Sequence, residues 1–520
     1  MTQVQSRAAA EPSSTDAPAR HVSVLIIGAG FAGLGAAIRL AQHGRRDFLV
    51  VERGNDVGGT WRDNTYPGAA CDVPSHLYSY SFELNPDWTR SFSPQPEIQD
   101  YLVRTARKYG VHDHLLLDTE VLDARWDGNA TVWRVQTTQG TIIADVLAPA
   151  VGALCEPALP DIDGIDTFRG EIFHSARWDH SADLAGKRVA IIGTGASAVQ
   201  IVPAIVDSVG HLDVYQRTAA WVMPRHDRAY PALERLAYRR VPGLQRLARE
   251  AIYWGRELYV LGFAFQPSVL RVAQRMAAHN IDKSIHDADL RRRVTPNWQI
   301  GCKRILISNE WYPALARDDV DLVSDPIREV RANAIVTADG TVREVDAIIV
   351  ATGFHVTDSP AYDRITGADG VSLGEHWRAH GQQAYKGATV HGFPNMVFLI
   401  GPNMGLGHSS MVYMAESAIN YLDSALRATD EHGLATFEVR ADVEQAYNKR
   451  IQRRMRRTIW TRGGCASWYL DKNGNNTTLW PSFTFSFRRM TKRFDLSAYT
   501  STARADHEAG TAATREAVPA

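Results

Sequence analysis

What this chain lacks narrows it first. It has only four cysteines in 520 residues, Cys71, Cys155, Cys302 and Cys465, and their spacing offers neither a C-x-x-C redox motif nor a cluster of zinc ligands. A dithiol-disulfide reductase is thereby excluded, and four separate thiols point to a reduced, cytoplasmic setting. No uninterrupted apolar stretch is long enough to span a bilayer. The start, MTQVQSRAAAEPSSTDAPAR, also lacks the apolar segment of a secretory signal. The most apolar long segment, Ala251 to Phe265, is broken by Arg256 and Glu257 and reads as a buried or partner-facing helix. Net charge is missing too. With Lys+Arg 57 against Asp+Glu 58 and a pI near 7.0, there is no global field to draw in nucleic acid or an acidic membrane. Small molecules or protein surfaces remain as partners, and oligomeric state leaves no mark.

What is present has room for about three domains. Residues 1–20 and 500–520 are rich in Ala, Ser, Thr and charge without apolar periodicity, which predicts disorder at both ends. The run Val22 to Ile27 reads as a buried parallel strand, ends in Gly28-Ala-Gly30-Phe-Ala-Gly33, and leads into the helical Leu34 to Leu40. The pattern recurs where Arg188 to Ile192 runs into Gly193-Thr-Gly195-Ala-Ser197-Ala198 and a second helix. A fainter repeat accompanies it: Asp145 to Gly152 and Asp346 to Gly353 share Asp, Ala and Gly at the same offsets, as strands that return to close each unit. The expected fold is α/β, with two Rossmann-like dinucleotide-binding domains. One spans 21–155 and 386–499, the other 156–226 and 298–385, with a helical insert over 227–297 where Leu, Ala, Arg and Glu recur at helical spacing. Met396 to Ile400 carries the chain back to the first domain.

A single G-x-G-x-x-G is weak evidence, because strand-to-helix turns need glycine for structural reasons too. Two copies with a strand before and a helix after, so that amides at a helix N-terminus meet a pyrophosphate, are hard to ascribe to chance. The residue ending the second strand of each unit then separates the ligands. Glu52 and Arg217 occupy equivalent places, each 24 positions after the first glycine of its turn (52 − 28 and 217 − 193). A carboxylate accepts from a free ribose 2′-OH and repels a 2′-phosphate; Arg217 followed by Thr218 binds that phosphate. The first site is expected to take FAD and the second NADPH. Ala198 in the third glycine position only has to let helix and strand approach.

FAD with NADPH, and no redox dithiol, leaves oxygen chemistry or electron delivery to a partner. Here Phe168-Arg-Gly170-Glu-Ile-Phe-His174-Ser-Ala-Arg-Trp178-Asp179 resembles, at every fixed position, the F-x-G-x-x-x-H-x-x-x-W-[PD] signature of type I Baeyer–Villiger monooxygenases. The resemblance covers about residues 20–495. Gly58-Gly59-Thr60-Trp61, Tyr66-Pro-Gly68, Asp72 and Tyr78 look like the family's flavin-contacting segment, and Lys303-Arg304 like the pair at its active arginine. Ala351-Thr352-Gly353 and Ser467-Trp468 are similar to its second-domain closure and its mobile nicotinamide-contacting loop. Val151 departs from the Thr or Ser that the family often has at the position before Gly152.

The resemblance implies a flavin C4a-peroxide that attacks a ketone and yields an ester or lactone, with dioxygen consumed and sulfoxidation as a further outlet. Arg304, a cation that keeps its proton, would stabilise the developing anions. Asp72 would orient it and Lys303 would join Arg217 on the 2′-phosphate. His174 is tempting as an acid or base, yet its place beside Phe173 and near Trp178 reads as a packed linker residue that couples domain motion to the cofactor. Amine or sulfur oxygenation by a related flavin enzyme, and a non-oxygenating electron-transfer protein, stay open at this point.

Overall fold

A computed structural model describes residues 19–471 and 473–504. Two sheets organise them. The strand Arg20–Ile27 lies between Phe48–Val51 and Gly140–Pro149, parallel to both. The sheet then extends through the antiparallel Val132–Thr137 and Val121–Asp127 to seven strands. The second sheet has five strands, in the order Val320–Val323, His211–Tyr215, Arg188–Ile192, Ala347–Val350, Glu171–His174, all parallel.

Both sheets are covered on two faces, so their central strands read as near-continuous apolar runs. Val24 and Ile26 pack with Leu34 and Ile38 of the helix Phe31–Gln42, while Leu25 packs on the opposite face. In the second sheet Val189 and Ile191 point one way, Ala190 and Ile192 the other. The two returning strands recognised as a repeat are Gly140–Pro149 and Ala347–Val350, each the direct neighbour of a glycine-turn strand. Both glycine turns therefore open at the carboxyl ends of their strands, beside a strand from the other part of the sheet, where doubly wound folds hold ligands. Between residues 232 and 294 the chain is helical, with the longest segments Leu244–Glu257 and Leu270–Ser284.

Two expectations change. Residues 500–503 are not disordered: Tyr499–Ala503 is a strand paired antiparallel with Leu434–Val439, its ladder supplied by backbone that polar side chains do not forbid. At the other end Arg20 already belongs to the strand Arg20–Ile27 and pairs with Ile142, while 1–18 and 505–520 lie outside the described residues. Met396 to Ile400 follows Gly140–Pro149 through bonds such as Val397 N to Leu147 O (2.9 Å) without forming a regular strand. The cysteines are not four separate thiols either. Cys302 and Cys465, 163 positions apart, form a disulfide, while Cys71 and Cys155 are free. Spacing along the chain could not reveal a pair that only the folding of two distant loops brings together.

Candidate functional site

A cavity of about 2640 Å³ runs between the sheets and is lined by Gly28, Gly30, Gly193 and Gly195 alike. A pocket for one drug-sized ligand holds about 300–1,000 Å³, so this space suits two dinucleotides and a small substrate. The glycines explain how both fit. Gly28 (φ +103°) and Gly193 (φ +118°) sit in backbone conformations that favour glycine, and a Cβ on either would press on the returning strand, 2.9 Å from Ala150 O and 2.4 Å from Ala351 O. A Cβ on Gly30 would touch Gly59 Cα at 3.8 Å, whereas one on Gly195 would meet nothing within 4 Å and point into open space. Gly33 faces away from the cavity, since a Cβ there would lie 1.8 Å from Gly28 O. It lets helix approach strand.

The first cradle is closed. Glu52 is buried, accepts from the amides of Ala29 and Gly54 at 2.8 Å each, and pairs with Arg62 Nη1 at 2.8 Å. Its carboxylate thus holds the turn in shape while facing the ligand space. Gly59 folds over the turn, where a Cβ would come 3.1 Å from Gly30 Cα. Thr60 and Trp61 begin the short helix that follows, and Trp61 Nε1 donates to the Tyr78 hydroxyl at 3.1 Å. Burial raises that phenol and keeps it neutral.

The second cradle is open. Arg217 and Thr218 are exposed, and Lys303 Nζ donates to Thr218 Oγ1 at 3.0 Å. Burial and then the neighbouring Arg217 lower the Lys303 ammonium. Two cations side by side with no anion between them make a donor set suited to phosphate. Ser197 lies in the first turn of the helix Ala196–Ile205, and Ala351, Thr352 and Gly353 form the opposite lip.

Between the cradles stands an ion pair. Arg304 Nε donates to Asp72 Oδ2 at 2.9 Å, and Nη2 reaches Oδ1 at 2.7 Å and Oδ2 at 2.6 Å. Nη1 donates to Leu406 O at 3.0 Å, which fixes the fork on its other side. Burial would raise the Asp72 carboxyl, but the Arg304 charge overrides it and holds the group below the ordinary aspartate value. Burial likewise works against Arg304, and Asp72 more than compensates. The result is a permanently charged guanidinium on the cavity wall.

With this geometry established, similarity to known proteins becomes informative. A flavin-binding monooxygenase-like family model matches residues 21–254. A Baeyer–Villiger monooxygenase of Streptomyces coelicolor is 52% identical over 481 residues, 92% of this chain and 92% of that protein. The chain belongs to the Baeyer–Villiger monooxygenase family. Solved structures agree. Cyclohexanone monooxygenase from Rhodococcus sp. Phi1 bound to NADP+ superposes with a TM-score of 0.83 at 26% identity, covering 94% of this chain and all of that one. OTEMO in complex with FAD and NADP gives 0.82 at 27%, covering 93% and 100%. The chain is an FAD- and NADPH-dependent monooxygenase.

The family signature lies beside the cleft rather than in it: Phe168, Gly170, His174, Trp178 and Asp179 are absent from the cavity wall, although Ala176 and Arg177 of the same segment line it. Gly170 is required because a Cβ would lie 2.2 Å from Asp346 O. Trp178 meets Phe173 edge-on at 5.0 Å, and Asp179 caps a turn by accepting from Ser181 N at 2.8 Å. His174 Nδ1 accepts from Ala176 N at 3.1 Å, and burial pushes the imidazole down to about 4. It is neutral near pH 7. Trp468 is exposed on the cavity rim, edge-on to Tyr469 at 4.4 Å.

Two contributors escaped the sequence reading. Arg62 braces Glu52, and nothing in its neighbourhood marks it out. Gln200 accepts from the Tyr66 hydroxyl at 3.0 Å and donates to Ala70 O at 2.9 Å, tying the second-cradle helix to the first-cradle loop. Its one advance signal was a polar residue in the apolar run that follows Ser197 on the helix Ala196–Ile205.

Proposed function

We propose that this enzyme inserts one oxygen atom of dioxygen beside the carbonyl of a ketone, giving an ester or lactone, with Arg304 as the catalytic cation and Asp72 as its positioning partner. The balance is one ketone, one dioxygen, one NADPH and one proton to one ester, one water and one NADP+. The observation that carries the reading is the Asp72-held guanidinium fork on the wall shared by both glycine cradles. When bound, reduced FAD supplies the activation of dioxygen and NADPH supplies the hydride.

The chain's own work is electrostatic. Nucleophilic attack on a carbonyl needs the oxygen donor as an anion, and charge then moves to the former carbonyl oxygen. A guanidinium that cannot release its proton stabilises both, and its bond to Asp72 saves reorganising it during the reaction. Arg217, Thr218 and Lys303 hold the 2′-phosphate of NADPH; Glu52 serves the adenosine ribose of FAD. Ser197 and the Ala351-Thr352-Gly353 lip border the NADPH pyrophosphate, while Thr60, Trp61 and Tyr78 wall the flavin. Trp468 covers the nicotinamide side, and the packed signature segment couples the halves through the cavity-facing Ala176 and Arg177. Use of NADPH supports a cytoplasmic setting; the Cys302–Cys465 disulfide runs against it.

The test is a panel of cyclic, linear and aryl ketones incubated with the FAD-loaded enzyme, NADPH and labelled dioxygen. A product one labelled oxygen heavier than its ketone, with ester connectivity, is expected. NADPH oxidation that yields only hydrogen peroxide across the whole panel sinks the reading.

A further inference from the structure

The helix Leu244–Glu257 is inside out. A surface helix ordinarily buries its apolar stripe and shows water its polar side. Here the buried side is mostly polar, with Tyr253 its one buried aromatic: Arg249 Nη1 donates to the carbonyls of His76 (2.7 Å), Leu77 and Ser79 (3.1 Å each), and Glu257 accepts from Thr484 N at 2.8 Å. The side facing solvent is apolar. Leu247 (67% exposed), Trp254 (54%), Leu258 (63%), Leu261 and Phe265 (52%) recur at spacings of 7, 4, 3 and 4, one continuous stripe along the helix and the turn beyond it. Val269, Val272 and Met276 prolong it, and the exposed Phe485 closes on Trp254 with ring centroids 5.8 Å apart. A contiguous exposed apolar stripe of this extent marks an interaction surface.

Charge says what covers it. Arg240, Arg246, Arg271 and Arg275 are exposed around the stripe, and none has an ion-pair partner among the described residues. From Leu258 to Ile281 the sequence has no Asp or Glu, and Glu250 is the one exposed acid on the helix. Two copies meeting through this face would bring the arginines together with little to answer them. Apolar residues including Trp and Phe, rimmed by arginine, match instead an interface with anionic lipid, where the side chains enter the acyl boundary and the guanidinium groups meet headgroups. We propose that this face docks the enzyme on an anionic lipid surface, peripherally, without crossing it; among the described residues no helix is long and apolar enough to cross a membrane.

The position has a consequence for substrate. Arg256, on the same helix, donates to Asp72 O at 3.2 Å, so the element that touches lipid outside reaches the reactive pair inside. Docking would hold apolar ketones dissolved in the lipid close to the helix that touches Asp72. That consequence rests on the proposed ketone chemistry; the docking does not. The even overall charge, which argued against attraction to acidic membranes, averages away this local rim.

The experiment is co-sedimentation of the FAD-loaded enzyme with vesicles of phosphatidylcholine alone and of equimolar phosphatidylcholine and phosphatidylglycerol. Binding to the mixed vesicles is expected to be at least about tenfold tighter and to weaken with salt. Trp254→Ser with Leu258→Ser, and separately Arg271→Glu with Arg275→Glu, should each abolish pelleting while the protein stays yellow and oxidises a water-soluble ketone normally. Failure to pellet with mixed vesicles overturns the proposal, as does light scattering that finds a dimer which Trp254→Ser with Leu258→Ser dissociates. Pelleting without oxygenation of any ketone overturns the catalytic reading and leaves the docking standing.

Discussion

The two glycine cradles share a strand, a turn, a helix and a returning neighbour strand, yet one is shut and the other open. In the first, Glu52 is buried under bonds from Ala29, Gly54 and Arg62, and the Gly58-Gly59 loop covers Gly30. In the second, Gly195 meets nothing within 4 Å, and Arg217 and Thr218 stand exposed beside Lys303. The difference teaches that one turn geometry can carry opposite surroundings; on the proposed assignment, the shut cradle keeps FAD through many turnovers and the open one lets NADPH exchange. What surrounds the turn decides which.

The strongest way to break this comparison is to fill each cradle. Gly30→Val, with its methyls in the pyrophosphate's path, should yield colourless protein, whereas Gly195→Val should stay yellow and be reduced slowly by NADPH. Visible absorbance and anaerobic reduction check both; reversed outcomes would mean the cofactors are exchanged between halves.

Cutting the pair that joins the halves comes next. Arg304→Ala should keep FAD and lose ester formation by about a hundredfold to a thousandfold or more, and Arg304→Lys should rescue poorly because a point charge cannot reproduce the fork on Asp72. Normal ketone turnover in Arg304→Ala would falsify the assignment. A smaller effect sharpens the open cradle: Arg217→Ala should weaken NADPH by about tenfold to a hundredfold, roughly 1.5–3 kcal/mol, and leave NADH nearly unchanged. Equal losses for both coenzymes, measured by steady-state kinetics, would remove the 2′-phosphate role.

The smallest effect concerns the first half alone. Burial pushes the Glu444 carboxyl from 4.5 up to about 7, with Oε2 accepting from His391 N at 3.0 Å. Because the folded value is raised, the folded state holds a proton that the unfolded chain has released. Stability should therefore fall as pH rises from about 4.5 to 7 and stay lowered above that. Glu444→Gln keeps the acceptor oxygen, and should flatten that slope and stabilise the protein by about 1–3 kcal/mol above pH 7. Denaturant melts across pH check it; an unchanged slope counts against a shifted Glu444.

Local signals were legible in the chain because local physics writes them. A buried parallel strand must be apolar on both faces, and a turn against a returning strand must be glycine at Gly28 and Gly193. These need only near neighbours, so sequence alone determined the paired α/β units. The tertiary structure decided what depends on distance along the chain. Asp72 and Arg304 meet across 232 positions, Gln200 reaches Tyr66 across 134, and Cys302 finds Cys465 across 163. Helical spacing also marked the insert over 227–297 but could not say which face of Leu244–Glu257 turns inward, because a helix period records the separation of two faces and only packing chooses between them.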